Sequence, residues 1–335
     1  MENSITDIPG IKIGHSQDLE GITGCTVILC EKGATGGVDQ RGGGPGTRET
    51  DLLKPTNNVE KVHAVLLAGG SAFGLDAASG VMRYLKEKGI GYNAGVAKVP
   101  IVPAAILFDL NIGSPDAFPD AEMGYLACQK ATSKPPAQGS VGAGTGATVG
   151  KLLGMGQATK TGIGTASVEV SGGVRIGAIV AVNAVGDVID PSTNQIVAGV
   201  RSLHKGPISI GGEAMFADAL EILRGQVGRT LLALASSQNT VIGVVATNAK
   251  LTKAHTNKLA QMAQNGVVRA IRPAHTMHDG DTIFALATGA KKADINIVGA
   301  FAAQVVTQAI LNAVNAATSL GDIPAASDLT PSSDS

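Results

Sequence analysis

Tryptophan is absent from this 335-residue chain, aromatic residues make up only 3% of it, and it has just three cysteines. Cys25, Cys30 and Cys128 are odd in number and lack a Cys-x-x-Cys spacing, so we expect no disulfide framework and a reducing compartment. Charged residues are also scarce, at 16%, and the formal net charge is −1 with no block of lysine or arginine among aromatics. This composition argues against a nucleic-acid partner.

The N-terminal residues, Met1 to Asp7, contain neither a basic segment nor an apolar one, so we expect no signal peptide. No run in the sequence indicates a membrane span, and we expect a cytoplasmic protein without a membrane partner. Glycine, with 45 residues, and hydrophobic residues, at 44%, are abundant instead. Glycine without a three-residue period indicates many tight turns, and the length allows a large buried core in one or two domains.

Strand-like runs dominate the middle of the chain, and helical patterns flank them. Apolar runs predict strands at 24–30, 62–68, 166–170, 175–182, 240–247 and 282–287. Helical periodicity predicts helices near 75–85, 120–130, 214–224, 252–264 and 294–317, the last two capped by Thr252 and Asp294. This order favours stacked sheets covered by helices over a βα barrel. Segment 321–335, rich in Ser, Pro and Asp, predicts a disordered tail.

Two glycine-rich segments lie outside these elements. Segment 41–51 reads RGGGPGTRETD and predicts a loop that binds substrate, lies at a subunit contact or forms solvated turns. Segment 142–151 reads GAGTGATVGK, but Thr145 and Leu152 occupy the places where a phosphate-binding loop needs glycine and a hydroxyl residue. A dinucleotide-binding turn is also disfavoured, because prolines precede the segment where a strand is required.

A polar segment at 236–239 runs directly into the β-branched apolar run 240–247, so Thr240 stands first in a predicted buried strand. If the peptide bond between Asn239 and Thr240 were cut, Thr240 would carry a hydroxyl and an α-amino group with an unperturbed pKa of about 7.7–8.0. That amine can take the proton of its own hydroxyl, so one residue would supply nucleophile and base. Taken alone, the stretch is also typical of an ordinary strand residue after a loop.

Segment 275–281 (HTMHDGD) places His275, His278, Asp279 and Asp281 close together in sequence. Imidazole and carboxylate groups at this density can hold zinc or manganese, which leaves a metal-dependent hydrolase as one alternative. The spacing differs from the helical His-Glu-x-x-His pattern, and Asp279-Gly280 is also a common turn dipeptide. A Ser-His-Asp triad has less support, because the sequence has no Gly-x-Ser-x-Gly elbow.

Four motifs occur in order: the loop 41–51, the glycine-rich stretch 142–146, the Asn239-Thr240 junction before VIGVVATN, and segment 275–282 with its DGDT end. Together they resemble the family of self-processing aminopeptidases, which includes L-aminopeptidase/D-amidases, β-peptidyl aminopeptidases and nylon-oligomer hydrolases. The likeness extends from near Ile5 to near Thr318. It implies an α+β fold, a four-layer αββα sandwich similar to the N-terminal-nucleophile hydrolases.

The resemblance also implies one catalytic domain over 1–320, made as an inactive precursor. Cleavage before the nucleophile would give fragments 1–239 and 240–335, which stay together. Because an amine-activated hydroxyl needs no Lewis acid, we expect neither a cofactor nor a metal. Relatives suggest a homotetramer of cleaved chains.

Carried over residue by residue, the resemblance makes Thr240 the nucleophile, where some relatives have serine, and Asn183 an amide that helps to stabilise the oxyanion. Lys151 matches a lysine of the nylon-hydrolase branch, and its ammonium would keep the Thr240 amine neutral. Asp279 and Asp281 match the acidic pair of that branch, where other members carry Ser and Glu. These carboxylates would jointly hold the amino group and hydroxyl of Thr240.

We therefore predict an autoprocessed threonine amidohydrolase that acts on short peptides, amino-acid amides or linear oligoamides, with a lean toward the oligoamide-cleaving branch. Phe108 falls where several relatives have a substrate-pocket tyrosine, so one substrate hydrogen bond is expected to be missing. Two further alternatives stay open beside the metal-dependent hydrolase. One is an acyltransferase like the ornithine acetyltransferases, which also process themselves before a threonine, and the other is a non-catalytic binding or structural protein with this fold.

Overall fold

The apolar runs of the sequence form strands on both sides of one long strand, Thr23–Gln40. The computed structural model describes residues 1–205, 208–225 and 239–329. Its strands are β1 (Lys12–Asp18), β2 (Thr23–Gln40), β3 (Thr47–Arg48), β4 (Lys61–Ala68), β5 (Tyr92–Asn93), β6 (Lys98–Val99), β7 (Ala104–Ile106), β8 (Thr148–Val149), β9 (Thr159–Lys160), β10 (Ile163–Val170), β11 (Val174–Asn183), β12 (Asp187–Asp190), β13 (Gln195–Ala198), β14 (Val200–Arg201), β15 (Leu203–Lys205), β16 (Ile208–Ile210), β17 (Phe216–Ala217), β18 (Thr240–Ala249), β19 (Ile271–Arg272) and β20 (Thr282–Lys291). Its helices are α1 (Ala77–Glu87), α2 (Ala121–Gln129), α3 (Ala219–Arg224), α4 (Lys253–Ala270) and α5 (Ile295–Asn315).

Nine strands share one hydrogen-bonded sheet in the order β10-β11-β18-β20-β2-β4-β7-β3, with β1 also paired to β2. β11 and β18 are antiparallel, whereas β18 and β20 run parallel side by side. Because β2 has 18 residues, its first part pairs with β1 and β4 and its last part with β20. β2 therefore carries the chain from one layer of the sheet to the other.

Three apolar clusters show how the layers stack. The first lies between α4, α5 and one face of β10, β11, β18 and β20, the second lies between the two halves of the sheet, and the third lies under α1 and α2. Representative members are Val245, Ile283 and Val306 in the first, Ile28, Ile242 and Phe284 in the second, and Val27, Leu66 and Val81 in the third. Neighbours such as Val27 and Ile28 point to opposite faces because side chains alternate along a strand. The predicted four-layer αββα sandwich is confirmed.

Helix α5 (Ile295–Asn315) is long and apolar enough to cross a membrane by length and composition alone. The sequence predicts no membrane span here. In the fold, 61% of its most apolar window is buried, and it packs against α4, β10 and β11. A buried core helix passes the same test, so the helix is weak evidence for a membrane.

The two predicted helix caps are present: Thr252 accepts a hydrogen bond from the His255 N–H, and Asp294 accepts one from the Asn296 N–H. Helix α4 continues six residues beyond the predicted end, because its later apolar side chains, such as Val267, remain buried. Helix α3 begins at Ala219, later than expected, after Asp218 caps it.

The predicted disordered tail differs from the structure over residues 321–329. Ile323 and Ala325 are buried, and the Pro324 carbonyl accepts a hydrogen bond from the Lys160 N–H at 2.8 Å. Ile323 packs with Ile22 and other apolar residues, so two apolar side chains anchor a segment whose overall composition is polar. Residues 330–335 of the predicted tail lie outside the described residues, as do residues 236–238 before the Asn239-Thr240 junction.

Candidate active site

Thr240 is the first residue of β18, a strand buried along its whole length, and its side chain is itself buried. The strand forms there because the run 240–249 has β-branched residues and no charge. Its antiparallel partner β11 places Asn183 directly opposite Thr240. Two residues separated by more than fifty positions in sequence therefore meet at one end of the sheet.

The peptide group before Thr240 is held from two sides. The Thr240 hydroxyl donates a hydrogen bond to the Asn239 carbonyl. The same carbonyl oxygen accepts a hydrogen bond from the Gly280 N–H at 2.9 Å. This backbone donor has no side-chain signature in the sequence, and it stands where charge would develop if the carbonyl were attacked.

Asp279 and Asp281 are both buried beside this bond. Asp281 Oδ1 accepts a hydrogen bond from the Val241 N–H at 2.7 Å, and Asp279 Oδ2 accepts one from the Thr276 N–H at 2.6 Å. Burial, together with the nearby charge of Asp281, raises the pKa of Asp279 to about 6. The predicted acidic pair is thus brought to the junction, one carboxylate bonded to the residue after Thr240.

Lys151 follows the glycine-rich segment and is buried against Asn183. Its Nζ donates to Asn183 Oδ1 at 2.8 Å and to the Asn183 carbonyl at 3.0 Å. Burial lowers the pKa of Lys151 to about 7, and the carboxylates of Asp279 and Asp109 partly oppose this shift. The lysine can therefore exchange its proton near neutral pH.

The Asn183 side chain makes further hydrogen bonds at both ends of its amide. Oδ1 also accepts from the Thr148 N–H at 3.1 Å, and Nδ2 donates to the Phe108 carbonyl at 2.9 Å. Phe108 thus contacts the site through its backbone. The structure brings together all the predicted site residues, while their individual roles stay predictions.

The loop that begins at Arg41 packs its backbone on the segment that carries the acidic pair. The Arg41, Gly43 and Gly44 N–H groups donate to the carbonyls of Asp281, Thr276 and Asp279 at 2.9, 3.1 and 2.8 Å. A Cβ at Gly42 would lie 2.0 Å from the Asp279 carbonyl oxygen, so only glycine allows this approach. This part of the loop supports the site from behind, a role that the sequence does not predict.

A second pair of buried charges lies behind the glycine-rich segment 142–146 and was missed from sequence. Lys160 is completely buried, and its Nζ donates to the carbonyls of Gly144 and Ala147 at 3.2 and 3.0 Å and to that of Thr161. Burial lowers the pKa of Lys160 to about 7 and raises that of Asp109 to about 6. A lone lysine in a strand has no sequence pattern that predicts such burial.

The residues of the metal hypothesis make other contacts. His275 Nδ1 lies 2.8 Å from Asp281 Oδ2, and Asp279 bonds to the backbone. Within residues 1–205, 208–225 and 239–329 there is no group of three or more His, Cys, Asp or Glu side chains that could hold a metal ion. No observation in this part of the chain favours the metal-dependent alternative.

Solved structures with the same fold define the class. The L-aminopeptidase D-Ala-esterase/amidase of Ochrobactrum anthropi, described as a variant of the Ntn-hydrolase fold, superposes with a TM-score of 0.71 at 20% identity, over 96% of this chain and 88% of that one. A β-aminopeptidase of Burkholderia sp. gives 0.65 at 22% identity, over 95% and 87%. These likenesses identify the fold as that of the Ntn hydrolases.

Sequence relatives define the family within that class. The profile of peptidase family S58 matches residues 3–324. An uncharacterized aminopeptidase of Mycobacterium leprae is 44% identical over 96% of this chain and 92% of its own, and a 6-aminohexanoate-oligomer endohydrolase of Agromyces sp. is 32% identical over 92% and 84%. The chain belongs to peptidase family S58 and is a hydrolase that acts on amide bonds.

Proposed function

We propose that this chain is the precursor of a threonine amidohydrolase that cleaves its own Asn239-Thr240 bond and then hydrolyses external amides. The observation that carries the proposal is the hydrogen bond of the buried Thr240 hydroxyl to the carbonyl of the bond it would cleave. A second donor, the Gly280 N–H, points at that same carbonyl oxygen, where the oxyanion would form if Thr240 attacked.

In self-cleavage, Thr240 Oγ1 attacks the Asn239 carbonyl carbon, and the hydroxyl proton passes to the Thr240 nitrogen. The Gly280 N–H holds the oxyanion while the C–N bond breaks, which leaves an ester between Asn239 and Thr240. Water then hydrolyses the ester and releases residues 1–239 and 240–335 as separate chains of one folded unit. The reaction consumes one water and needs no oxidant or cofactor.

In the mature enzyme, the new α-amino group of Thr240 acts as base for its own hydroxyl. Asp279 and Asp281, both buried beside this junction, would hold that amine, and the Lys151 ammonium would disfavour its protonated form. Asn183 supplies an amide donor to the oxyanion of the substrate. Attack on an external amide gives an acyl-enzyme, and water releases the acid.

Short peptides, amino-acid amides and linear oligoamides are the proposed substrates. Two relatives support this range, because one is named an aminopeptidase and another a 6-aminohexanoate-oligomer endohydrolase. The combination of Thr240, Lys151 and paired aspartates favours the oligoamide branch. A comparison of kcat/KM for linear 6-aminohexanoate oligomers, L-amino-acid amides and β-amino-acid amides would rank these classes.

Mass spectrometry of freshly purified protein tests the proposal. We expect the wild-type chain to convert into two species, the second beginning at Thr240, with amidase activity appearing in step. Thr240→Ala should stay a single inactive chain, while the control Thr240→Ser, which keeps a hydroxyl, should still process. An intact wild-type chain with full activity would overturn the proposal. We also propose that the processed protein is a homotetramer, which the molar mass from light scattering would test, and that it is cytoplasmic.

A further inference from the structure

His275 holds one oxygen of Asp281 with two donors of its own. Its backbone N–H donates to Asp281 Oδ2 at 3.0 Å, and its ring Nδ1 lies 2.8 Å from the same oxygen. Because a carboxylate only accepts hydrogen bonds, Nδ1 carries the proton in this contact. The imidazole is therefore oriented by Asp281, and Asp281 by the imidazole.

The backbone of His275 adopts a conformation that L-residues rarely take, with φ at +61°. Histidine tolerates the left-handed region better than most residues, as do asparagine and aspartate. In this conformation the backbone N–H and the ring reach the same oxygen. Such outliers persist where the surrounding structure fixes them, often at functional sites.

The other oxygen of Asp281 connects His275 to the nucleophile strand. Asp281 Oδ1 accepts from the Val241 N–H, the residue directly after Thr240. His275 thus acts on one side of the carboxylate and the start of β18 on the other. His275 Nε2 is buried and has no hydrogen-bond partner among the described residues, so the ring has no second polar contact there that would account for its placement.

We propose that His275 is a positioning residue that fixes the Asp281 carboxylate against the start of β18, where Thr240 and Val241 lie. This inference rests on the proposed function. It does not touch substrate in this proposal. Its ring N–H and left-handed backbone together hold Asp281 in the orientation from which that carboxylate can meet the Thr240 amine after cleavage.

The test compares two variants of nearly equal shape. His275→Asn keeps a side-chain N–H donor for Asp281 and tolerates the left-handed backbone, whereas His275→Asp tolerates the same backbone but places a carboxylate against Asp281. In processed protein we expect kcat of His275→Asn to stay within about threefold of wild type, and kcat of His275→Asp to fall by about 10²-fold with little change in KM, as misplacement of a reacting group does.

The same exchange at His278, in the same loop, is the matched control. His278→Asn and His278→Asp should have equal kcat, and thermal unfolding should show that all four variants are folded. Equal kcat for His275→Asn and His275→Asp, whether near wild type or equally reduced, would overturn the inference. The proposed function would still hold in that case, provided that the wild-type chain cleaves itself and is active. If His275→Asp is not fully processed, the rates of self-cleavage of the two variants are compared instead. Slower cleavage of His275→Asp would support the inference, and equal rates would contradict it. An uncleaved, inactive wild type would instead refute the proposed function.

Discussion

Asn183 and Thr240 lie directly opposite each other in the antiparallel pair of β11 and β18. The register of these two strands therefore decides where the amide stands relative to the hydroxyl. A slip of one residue in either strand would turn its side chain to the other face of the sheet. Both strands are buried almost throughout, so the core strongly specifies this register and with it the geometry of the site.

Asn183→Asp should distinguish the role of the Nδ2 donor of Asn183 from that of its Oδ1 acceptor. The variant keeps Oδ1 for the Thr148 N–H and the Lys151 ammonium but loses the Nδ2 donor. If that donor serves the oxyanion, kcat of processed protein should fall by about 10²- to 10³-fold. Steady-state kinetics on an amino-acid amide give the measurement, with unfolding curves as the check on the fold. Unchanged kcat would remove Asn183 from the catalytic residues.

Gly42→Ala should disrupt the loop that supports the acidic pair. The new Cβ would lie 2.0 Å from the Asp279 carbonyl oxygen, which cannot move without shifting the segment that carries both aspartates. We expect slower self-cleavage and a large loss of kcat, since a displacement near 1 Å can cost about 10²-fold. Time courses of cleavage by gel and mass spectrometry would follow the effect.

Gly44→Ala is the matched control for that substitution, because the nearest atom to a Cβ at Gly44 is the Asp279 carbonyl oxygen at 3.8 Å, an ordinary contact. This variant should cleave and turn over like wild type. If Gly42→Ala behaved like Gly44→Ala, the loop would have no part in holding the acidic pair.

The strand of Thr240 and the caps of the last two long helices are predictable from sequence for local reasons. Ten consecutive residues from Thr240 carry no charge, and a β-branched run of this kind has few stable places outside a sheet core. Thr252 and Asp294 cap their helices through hydrogen bonds within three residues. Local chemistry of this range is visible in a single sequence.

Long-range contacts between loops are not predictable in the same way. The glycines of segment 41–46 reveal a close backbone approach, but nothing in the sequence names Asp279 as the group approached. Likewise the Gly280 N–H on the Asn239 carbonyl is a backbone contact that any residue could make. Lys160 was missed because its burial depends on carbonyls that only the folded chain brings together.

Exhaustive chelation should leave the activity of processed protein unchanged. A hydroxyl that an adjacent amine activates needs no Lewis acid, so EDTA followed by dialysis should not alter kcat. Metal analysis of the same sample and activity after addition of zinc or manganese complete the measurement. Loss of activity that either ion restores would favour the metal-dependent hydrolase and count against Thr240 chemistry.

Lys160→Met should destabilise the fold, best measured in the uncleaved Thr240→Ala chain. Three carbonyls lose their donor, and the free energy of unfolding should fall by about 3 kcal/mol. Burial lowers the pKa of Lys160 to about 7, so between pH 7 and about 10 the unfolded state binds more protons and wild-type stability rises with pH. The deficit of the variant should therefore be larger at pH 9 than at pH 6.

Exposed Lys61 offers the control for that measurement, because Lys61→Met removes the same charge without burial. Urea unfolding of both variants at the two pH values should show a pH-dependent deficit for Lys160→Met alone. Equal stability of Lys160→Met and Lys61→Met would mean that the buried ammonium contributes nothing net to the fold.

Opposite shifts of the pH profile should follow from Lys151→Met and Asp279→Asn. The acid limb of kcat/KM reports deprotonation of the Thr240 amine and ionisation of Asp279, whose pKa burial raises to about 6. The Lys151 ammonium lowers both pKa values, so Lys151→Met should move the limb upward by about one pH unit. Asp279→Asn removes a charge that stabilises the protonated amine, so the acid limb of its kcat/KM profile should move to lower pH. The maximum of kcat/KM should also fall. The control Lys134→Met, at an exposed position, should leave the limb in place. Generic damage lowers rates without such opposed shifts, and an unmoved limb in processed Lys151→Met would exclude Lys151 from the chemistry.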